Sequence, residues 1–309
     1  MRTFVRADGR SLQVVPGFRD QVLAARPSVT PRPDWTEAQY AAAAVRKHQR
    51  AARLIADIAR WRGSLDGAEV LDVGCGDGVN CLCIALHPVK RVVGIDLELP
   101  LLELDGKGAQ TRRLAGRVLE QLDHGGGLDE VLHRRPVSFV AMDATSLALR
   151  DDSIDVLLTR SALEHVAPIE RAVTDMARVV RPGGLIHLRI DPFFWVRGCH
   201  KRGLVDIPWA HARLSLADFR RFVTDSEGET AATARTRRLE TLNRLTLVQW
   251  RAVVAAGPFE LAEWREEPAA LALTLLQEHP DVRDTLLRGV EERDLVHGRI
   301  EAWLRVSKP

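Results

Sequence analysis

The segment Val70-Leu71-Asp72-Val73-Gly74-Cys75-Gly76-Asp77-Gly78 constrains this chain more than any other. A short apolar run, opened by Glu69, stops abruptly in three glycines at alternate positions. An apolar run of this length bounded by glycine reads as a strand buried on both faces. Glycine lets the backbone turn tightly and come close to a ligand. The residues that follow read as a helix over roughly 78–87, stopped before Pro88. Its free N–H groups and positive dipole end suit a phosphate or a carboxylate.

The same period recurs downstream. Arg91–Asp96, Val137–Ala141, Ile154–Thr159 and Leu185–Ile190 read as strands. Between them lie a polar helical stretch over 103–135, broken at Gly125-Gly126-Gly127, and a helix over Ile169–Val180 with Val173, Met176 and Val180 inward. The turn Arg181-Pro182-Gly183-Gly184 introduces the fifth strand. Strands alternating with helices predict a parallel sheet covered on both sides. Upstream, Asp34 is placed to cap a long helix to about Arg62, with Leu54, Ile55, Ile58 and Trp61 on one face. Residues 1–33, with Pro16, Pro27, Pro31 and Pro33, read as an irregular arm. Past Asp191 the rhythm fails. Residues 192–240 are rich in arginine and aromatic side chains and read as an inserted lid. Leu245–Ala256 then reads as a helix, and Phe259–Glu266 and Arg299–Val306 as closing strands. The expected organisation is an arm and helix over 1–62, one α/β domain from 63–191 and 241–309, and the lid at 192–240.

Spacing decides which ligand the glycine loop suits. A dinucleotide fingerprint places its third glycine three positions after the second. Here that position is Val79, which argues against a nicotinamide dehydrogenase. Asp72, just before the loop, would repel a pyrophosphate and suit an amino group or a sulfonium. Asp96 ends the second strand, where a carboxylate can accept hydrogen bonds from two ribose hydroxyls. Met142-Asp143-Ala144 follows the third, where Asp143 and the Ala144 N–H can meet an adenine edge.

These residues resemble a known family. The segment 70–78 is similar to motif I of class I S-adenosylmethionine-dependent methyltransferases. Asp96 resembles the family's ribose-binding acid and Asp143-Ala144 its adenine contact. Asp155-Val156-Leu157-Leu158-Thr159-Arg160-Ser161-Ala162-Leu163-Glu164-His165-Val166 and Arg178-Val179-Val180-Arg181-Pro182-Gly183-Gly184 are similar to segments of the methyltransferase type 11 group. The resemblance covers about residues 65–190 and the final strand pair. It implies a Rossmann-like, doubly wound α/β sheet of seven strands, the last antiparallel. It also implies S-adenosylmethionine as cofactor, with S-adenosylhomocysteine as product. The expected cofactor residues are Asp72, Gly74, Cys75, Gly76, Gly78, Asp96, Leu97, Asp143, Ala144 and Arg160.

Methyl transfer to oxygen usually needs proton removal as well as alignment, and histidine is the natural base near neutral pH. His165, His200 and His211 are the candidates. His165 follows Glu164 beyond the fourth strand. His200 and His211 lie in an inserted segment resembling a pattern seen in relatives from bacterial polysaccharide, glycolipid and secondary-metabolite pathways. A glycan, glycolipid or small-metabolite hydroxyl is therefore the expected acceptor. The alternatives are a nitrogen or carbon acceptor and a non-catalytic cofactor-binding module. A divalent metal among Asp191, Glu164, His165 and His200 is a second option. It is not preferred, because Ser161 stands where some quinone-pathway relatives have another acid. Trp35 and Tyr40 can pack the arm or border the cofactor, and Trp195 and Trp209 can pack the lid or offer flat faces to an acceptor. Arg46, Lys47, His48, Arg50 and Arg53 read as a solvated helix face. Arg235, Arg237 and Arg238 read as lid surface.

The 309 residues carry 44 basic and 42 acidic side chains, a formal charge of +2, which gives no general pull toward nucleic acid. Cys75, Cys81, Cys83 and Cys199 match no common zinc spacing and read as reduced thiols. Met1 to Asp20 has no apolar core of a secretion signal, and no stretch is long enough to insert in a membrane, so a cytoplasmic protein is expected.

Overall fold

The computed structural model describes residues 2–25, 31–122 and 127–308. Pro27 and the break at Gly125-Gly126 lie outside them. The arm expected to be irregular holds a small antiparallel hairpin, β1 (Thr3–Val5) with β2 (Ser11–Gln13), and a helix over Phe18–Ala24. Alternation in strands this short leaves only Leu12 as a buried anchor, too little for a sequence signal.

The sheet has seven strands: β3 (Glu69–Val73), β4 (Arg91–Asp96), β5 (Val137–Ala141), β6 (Ile154–Arg160), β7 (Val180–Ile190), β8 (Phe259–Pro268) and β9 (His297–Val306). Their order is β5-β4-β3-β6-β7-β9-β8. The first five in sequence pair in parallel, and β9 runs antiparallel to both β7 and β8. This is the α/β Rossmann-like architecture that the resemblance implied. The order reverses between β3 and β6, so the crevice opens beyond the tips of β3, β4 and β6.

Every residue of β3 is buried, because helices cover both faces. Val70 packs with Leu54 and Ile58 of the helix over Glu37–Arg62 and with Ile84 of the helix over Val79–Ala85. Leu71 and Val73 face the other way, toward Ile169, Val173 and Met176 of the helix over Ile169–Val179. Successive side chains of a strand point to opposite faces, so apolar residues on both, as at Val70, Leu71 and Val73, are what two covered faces require. The long helix is capped by Thr36, not by Asp34. The Thr36 Oγ1 accepts the Gln39 N–H, and the Gln39 side-chain oxygen accepts the Thr36 N–H at 2.7 Å. Residues 181–184 do not form a separate turn. They bulge within β7, whose register to β6 jumps from Val180 opposite Ile154 to Leu185 opposite Val156.

A second apolar cluster lies off the sheet. Residues 192–240 supply much of it, through helices over His200–Gly203, Ala210–Arg213, Leu216–Glu227 and Glu229–Glu240. It also takes Leu12, Phe18 and Val22 from the N-terminal segment. Two helices not evident in the sequence, Ala270–Glu278 and Glu292–Val296, add Leu275, Leu276 and Leu295. Trp195 and Trp209 are buried in this cluster, and the Trp209 Nε1–H donates to the Leu295 carbonyl at 3.2 Å. Both indoles therefore pack the core of this cluster. Arg235, expected at the surface, is buried too: its guanidinium donates to the Arg202 and Leu204 carbonyls and pairs with Glu227. Among the described residues no helix is long and apolar enough to cross a membrane.

The glycine loop is demanding in two different ways. Gly74 has φ +75°, and an added Cβ would come closer than 3.0 Å to the Ala162 Cβ. Gly76 has φ +57° but would meet nothing within 4 Å. Gly74→Ala should therefore destabilise the fold by about 3 kcal/mol through strain and clash, and Gly76→Ala by about 1 kcal/mol through backbone strain alone. Urea unfolding of both variants checks the contrast; equal losses would contradict it.

Candidate functional site

The loop after β3 is tied to the tip of β4 by backbone bonds. The Gly74 and Cys75 N–H groups both donate to the Ile95 carbonyl, at 2.8 and 2.9 Å. The Asp96 carboxylate accepts the Gly76 N–H at 2.9 Å and the Leu97 N–H at 2.8 Å. Two amides thus fix its direction at the mouth of the crevice, where Leu97 stands three-quarters exposed. On the floor, an added Cβ at Gly78 would strike Leu101 and Phe139. The open space beside Gly76 and the oriented acid next to it fit a nucleoside lying across the strand tips.

Asp72 differs from expectation. It is buried, and burial pushes its carboxyl up to about 6, opposed by the Cys81 thiol, which donates to it at 3.5 Å, and by the positive charge of Arg160. Arg160 is pushed down to about 10 by burial and by the neighbouring Arg189, with Asp72 acting in the other direction. The residue is not a permanently exposed anion. An approaching cation would favour its ionised form. Asp143 is exposed and folds back on its own loop, its Oδ1 accepting the Thr145 N–H at 2.7 Å and the Thr145 hydroxyl at 2.9 Å. Ala144 packs beside it against the sheet core.

The helix face expected to be solvated is partly engaged. Lys47 pairs with Asp77 of the glycine loop, and Arg46, His48 and Arg50 are half-buried. Only the run of charge was visible in the sequence; the partner was not. Trp35 meets Tyr40 edge-on, and Tyr40 is buried with Val79, Leu82 and Leu101, so both pack this helix onto the loop. All four cysteines are buried and free.

Beyond β6 the chain turns sharply at Ser161, whose φ is +55°. Ala162 faces Gly74, and its carbonyl accepts the His165 N–H at 2.9 Å. This seats Glu164 and His165 one short turn from the glycine loop. The segment over 192–240 brings His200 to them. The ligating atoms of Glu164, His165 and His200 all lie within 4.8 Å of one another, and the two imidazole centroids are 4.9 Å apart. Burial and the neighbouring Asp191 push the Glu164 carboxyl well up, and neither of its oxygens has a hydrogen-bond partner. Burial, His200 and Arg238 push His165 down to about 4. Burial lowers His200 as well. Imidazoles shifted toward their neutral form can take up a proton, and two nitrogens with one carboxylate oxygen are also a donor set for a divalent ion.

His211 does not join them. It is buried in the lid, its Nε2–H donating to the Trp195 carbonyl at 3.0 Å, and burial pushes it down to about 4. The sequence grouped three histidines, whereas the fold gathers two of them and adds Glu164, which had been noted only as a metal option. Folded His165 and His211 stay neutral to about pH 4, while the unfolded chain protonates near 6.5. Stability from these two groups is therefore complete above pH 6.5 and lost as pH falls toward 4. Urea titrations between pH 7 and 4.5 should show a shallower loss for His211→Asn than for the native chain; parallel curves would contradict this.

Comparison with known proteins places this geometry. Residues 71–188 match the family model described as a methyltransferase domain. A ubiquinone biosynthesis O-methyltransferase from Rhizobium etli is 33% identical over 126 residues, 40% of this chain and 40% of that protein. An O-methyltransferase from Aspergillus nomiae is 29% identical over 147 residues, 48% of this chain and 56% of that one. The matched stretch thus spans about half the length of these relatives, or less. Among solved structures, an S-adenosylmethionine-dependent methyltransferase from Mesorhizobium loti aligns with a TM-score of 0.43 at 15% identity, covering 78% of this chain and 92% of that one. Over residues 71–188, the stretch that carries the glycine loop and the acids at the strand tips, the chain is thus similar to the methyltransferase domain.

Proposed function

We propose that this chain methylates a hydroxyl of a small metabolite, glycan or glycolipid, with histidine assistance. The observation that carries the reading is the group of Glu164, His165 and His200, set one turn beyond the residue that packs on Gly74. The names of the Rhizobium and Aspergillus relatives agree with an oxygen acceptor.

In this reading Asp96 accepts the ribose hydroxyls, Leu97 covers one side of the base, and Asp143 with Ala144 meets the adenine edge. Asp72 and Arg160, with Gly74, Cys75, Gly76 and Gly78, bound the amino-acid end. When bound, S-adenosylmethionine supplies a methyl group on a cationic sulfur that is open to in-line displacement. The protein's part is to align the acceptor oxygen and to receive its proton. His165 is neutral at working pH and needs no prior deprotonation. The acceptor side comprises residues 192–240 together with the N-terminal segment and the helices over 270–278 and 292–296, which share one apolar cluster.

Asp96→Ala should weaken S-adenosylmethionine binding by about 1–3 kcal/mol, since two hydroxyls lose their acceptor. Unchanged affinity in calorimetry would remove Asp96 from that role. With an acceptor identified by transfer of labelled methyl, His165→Ala and His200→Ala should each lower kcat about a hundredfold or more at unchanged cofactor affinity. The acid limb of kcat/KM should lie near pH 4 rather than 6.5, and a chelator should leave the rate unchanged. Variants that keep most activity would point to a nitrogen or carbon acceptor. Tight cofactor binding with no transfer to any acceptor would point to a non-catalytic module.

A further inference from the structure

A cavity of about 330 Å³ lies within the lid, against the turn that carries Glu164. Phe193, Phe194, Phe219 and Leu214 form apolar walls. Asn243 joins it to the turn: it lines the cavity, its side chain donates to the Leu163 carbonyl at 2.7 Å, and its N–H donates to the Glu164 carbonyl at 3.0 Å. A space of this size is in the range of small-molecule sites, and three phenyl rings suit a flat apolar body.

His211 and Arg244 are the lining residues with a basic side chain. The buried His211 ring is anchored through Nε2 to the Trp195 carbonyl, which leaves Nδ1 unsatisfied. That Nδ1 is a hydrogen-bond acceptor sealed from the cavity, so the imidazole contributes wall and not charge. Arg244, on the same cavity, makes no hydrogen bond or ion pair among the described residues. Its backbone has φ +50°, a strained conformation for a residue with a side chain. The buried arginines nearby are tied down: Arg213 to Asp281 and Thr285, Arg235 to Glu227. Arg244 differs in being exposed, and it lines the cavity beside the apolar walls with its guanidinium open to a ligand.

The geometry points to a binding site for an amphipathic acid, an apolar ring body seated against Phe193, Phe194 and Phe219 with its anionic group on Arg244. A guanidinium binds a carboxylate or sulfonate through paired hydrogen bonds and does not do so for a neutral alcohol. Identifying this ligand with the methyl acceptor rests on the function proposed above; the binding itself does not.

The test is a calorimetric titration of the intact chain with naphthalene-2-carboxylate and with naphthalene-2-methanol, which share the ring body and differ in charge. The carboxylate should bind about tenfold tighter than the alcohol or better, as expected for a charge-assisted pair. Arg244→Gln should abolish that preference and leave S-adenosylhomocysteine affinity unchanged. Arg244 is exposed, so its replacement leaves the core intact. Failure of the native chain to bind the carboxylate, equal affinity for both probes, or a preference that survives Arg244→Gln would each overturn the proposal. Loss of S-adenosylhomocysteine binding by the native chain would instead overturn the proposed function, whatever the two probes do.

Discussion

The seam between the glycine loop and the tip of β4 is the constraint on which the rest of the site depends. The Ile95 carbonyl takes two loop amides, and the Asp96 carboxylate takes a third from Gly76. This closes the loop onto the neighbouring strand and orients the acid in one step. The same loop must also admit Ala162 beside Gly74, where no side chain fits. Three strand tips are thereby brought to one crevice. The sheet order, with its reversal between β3 and β6, sets that crevice at the switch point of the sheet.

Much of this was legible in the sequence because the sheet is buried on both faces. Val70–Val73 and Val92–Ile95 have no polar alternation to confuse with a helix, and each ends in a glycine or an aspartate. Asp96 and the three glycines could be placed for the same reason. The N-terminal hairpin was not legible, since its strands are too short to show a period. Nor were the helices over 270–278 and 292–296, which lie between two strands that pair with each other. Their apolar faces, including Leu275 and Leu295, turn to the lid and not to the sheet. Buried arginines such as Arg213 and Arg235 also escape sequence reading. A guanidinium that satisfies backbone carbonyls inside a lid has the same letter as one in solvent.

The ionisable groups sort into two environments. At the crevice mouth, Asp96 and Asp143 are reached by solvent and directed by backbone or turn hydrogen bonds. Deeper in, Asp72, Glu164, His165 and His211 are shifted toward their neutral forms, with burial as the leading cause for each. A site that receives a cation on one side and releases a proton on the other benefits from that division. The buried carboxyl of Asp72 becomes an anion most readily when a positive ligand arrives. In the proposed reaction the imidazole of His165, kept neutral by burial, is the group that accepts the proton. The sequence pattern named these residues but carried no information about their depth, which comes from how the long N-terminal helix and the lid pack over them.

The central claim is that the loop and the acids at the strand tips form a pocket for a sulfonium nucleoside. A calorimetric competition on the intact chain tests it most directly, with S-adenosylhomocysteine and a nicotinamide dinucleotide titrated separately and then against each other. The account predicts saturable one-to-one binding of S-adenosylhomocysteine that the dinucleotide does not displace. Binding of the dinucleotide in its place, or no heat from S-adenosylhomocysteine at all, would contradict it.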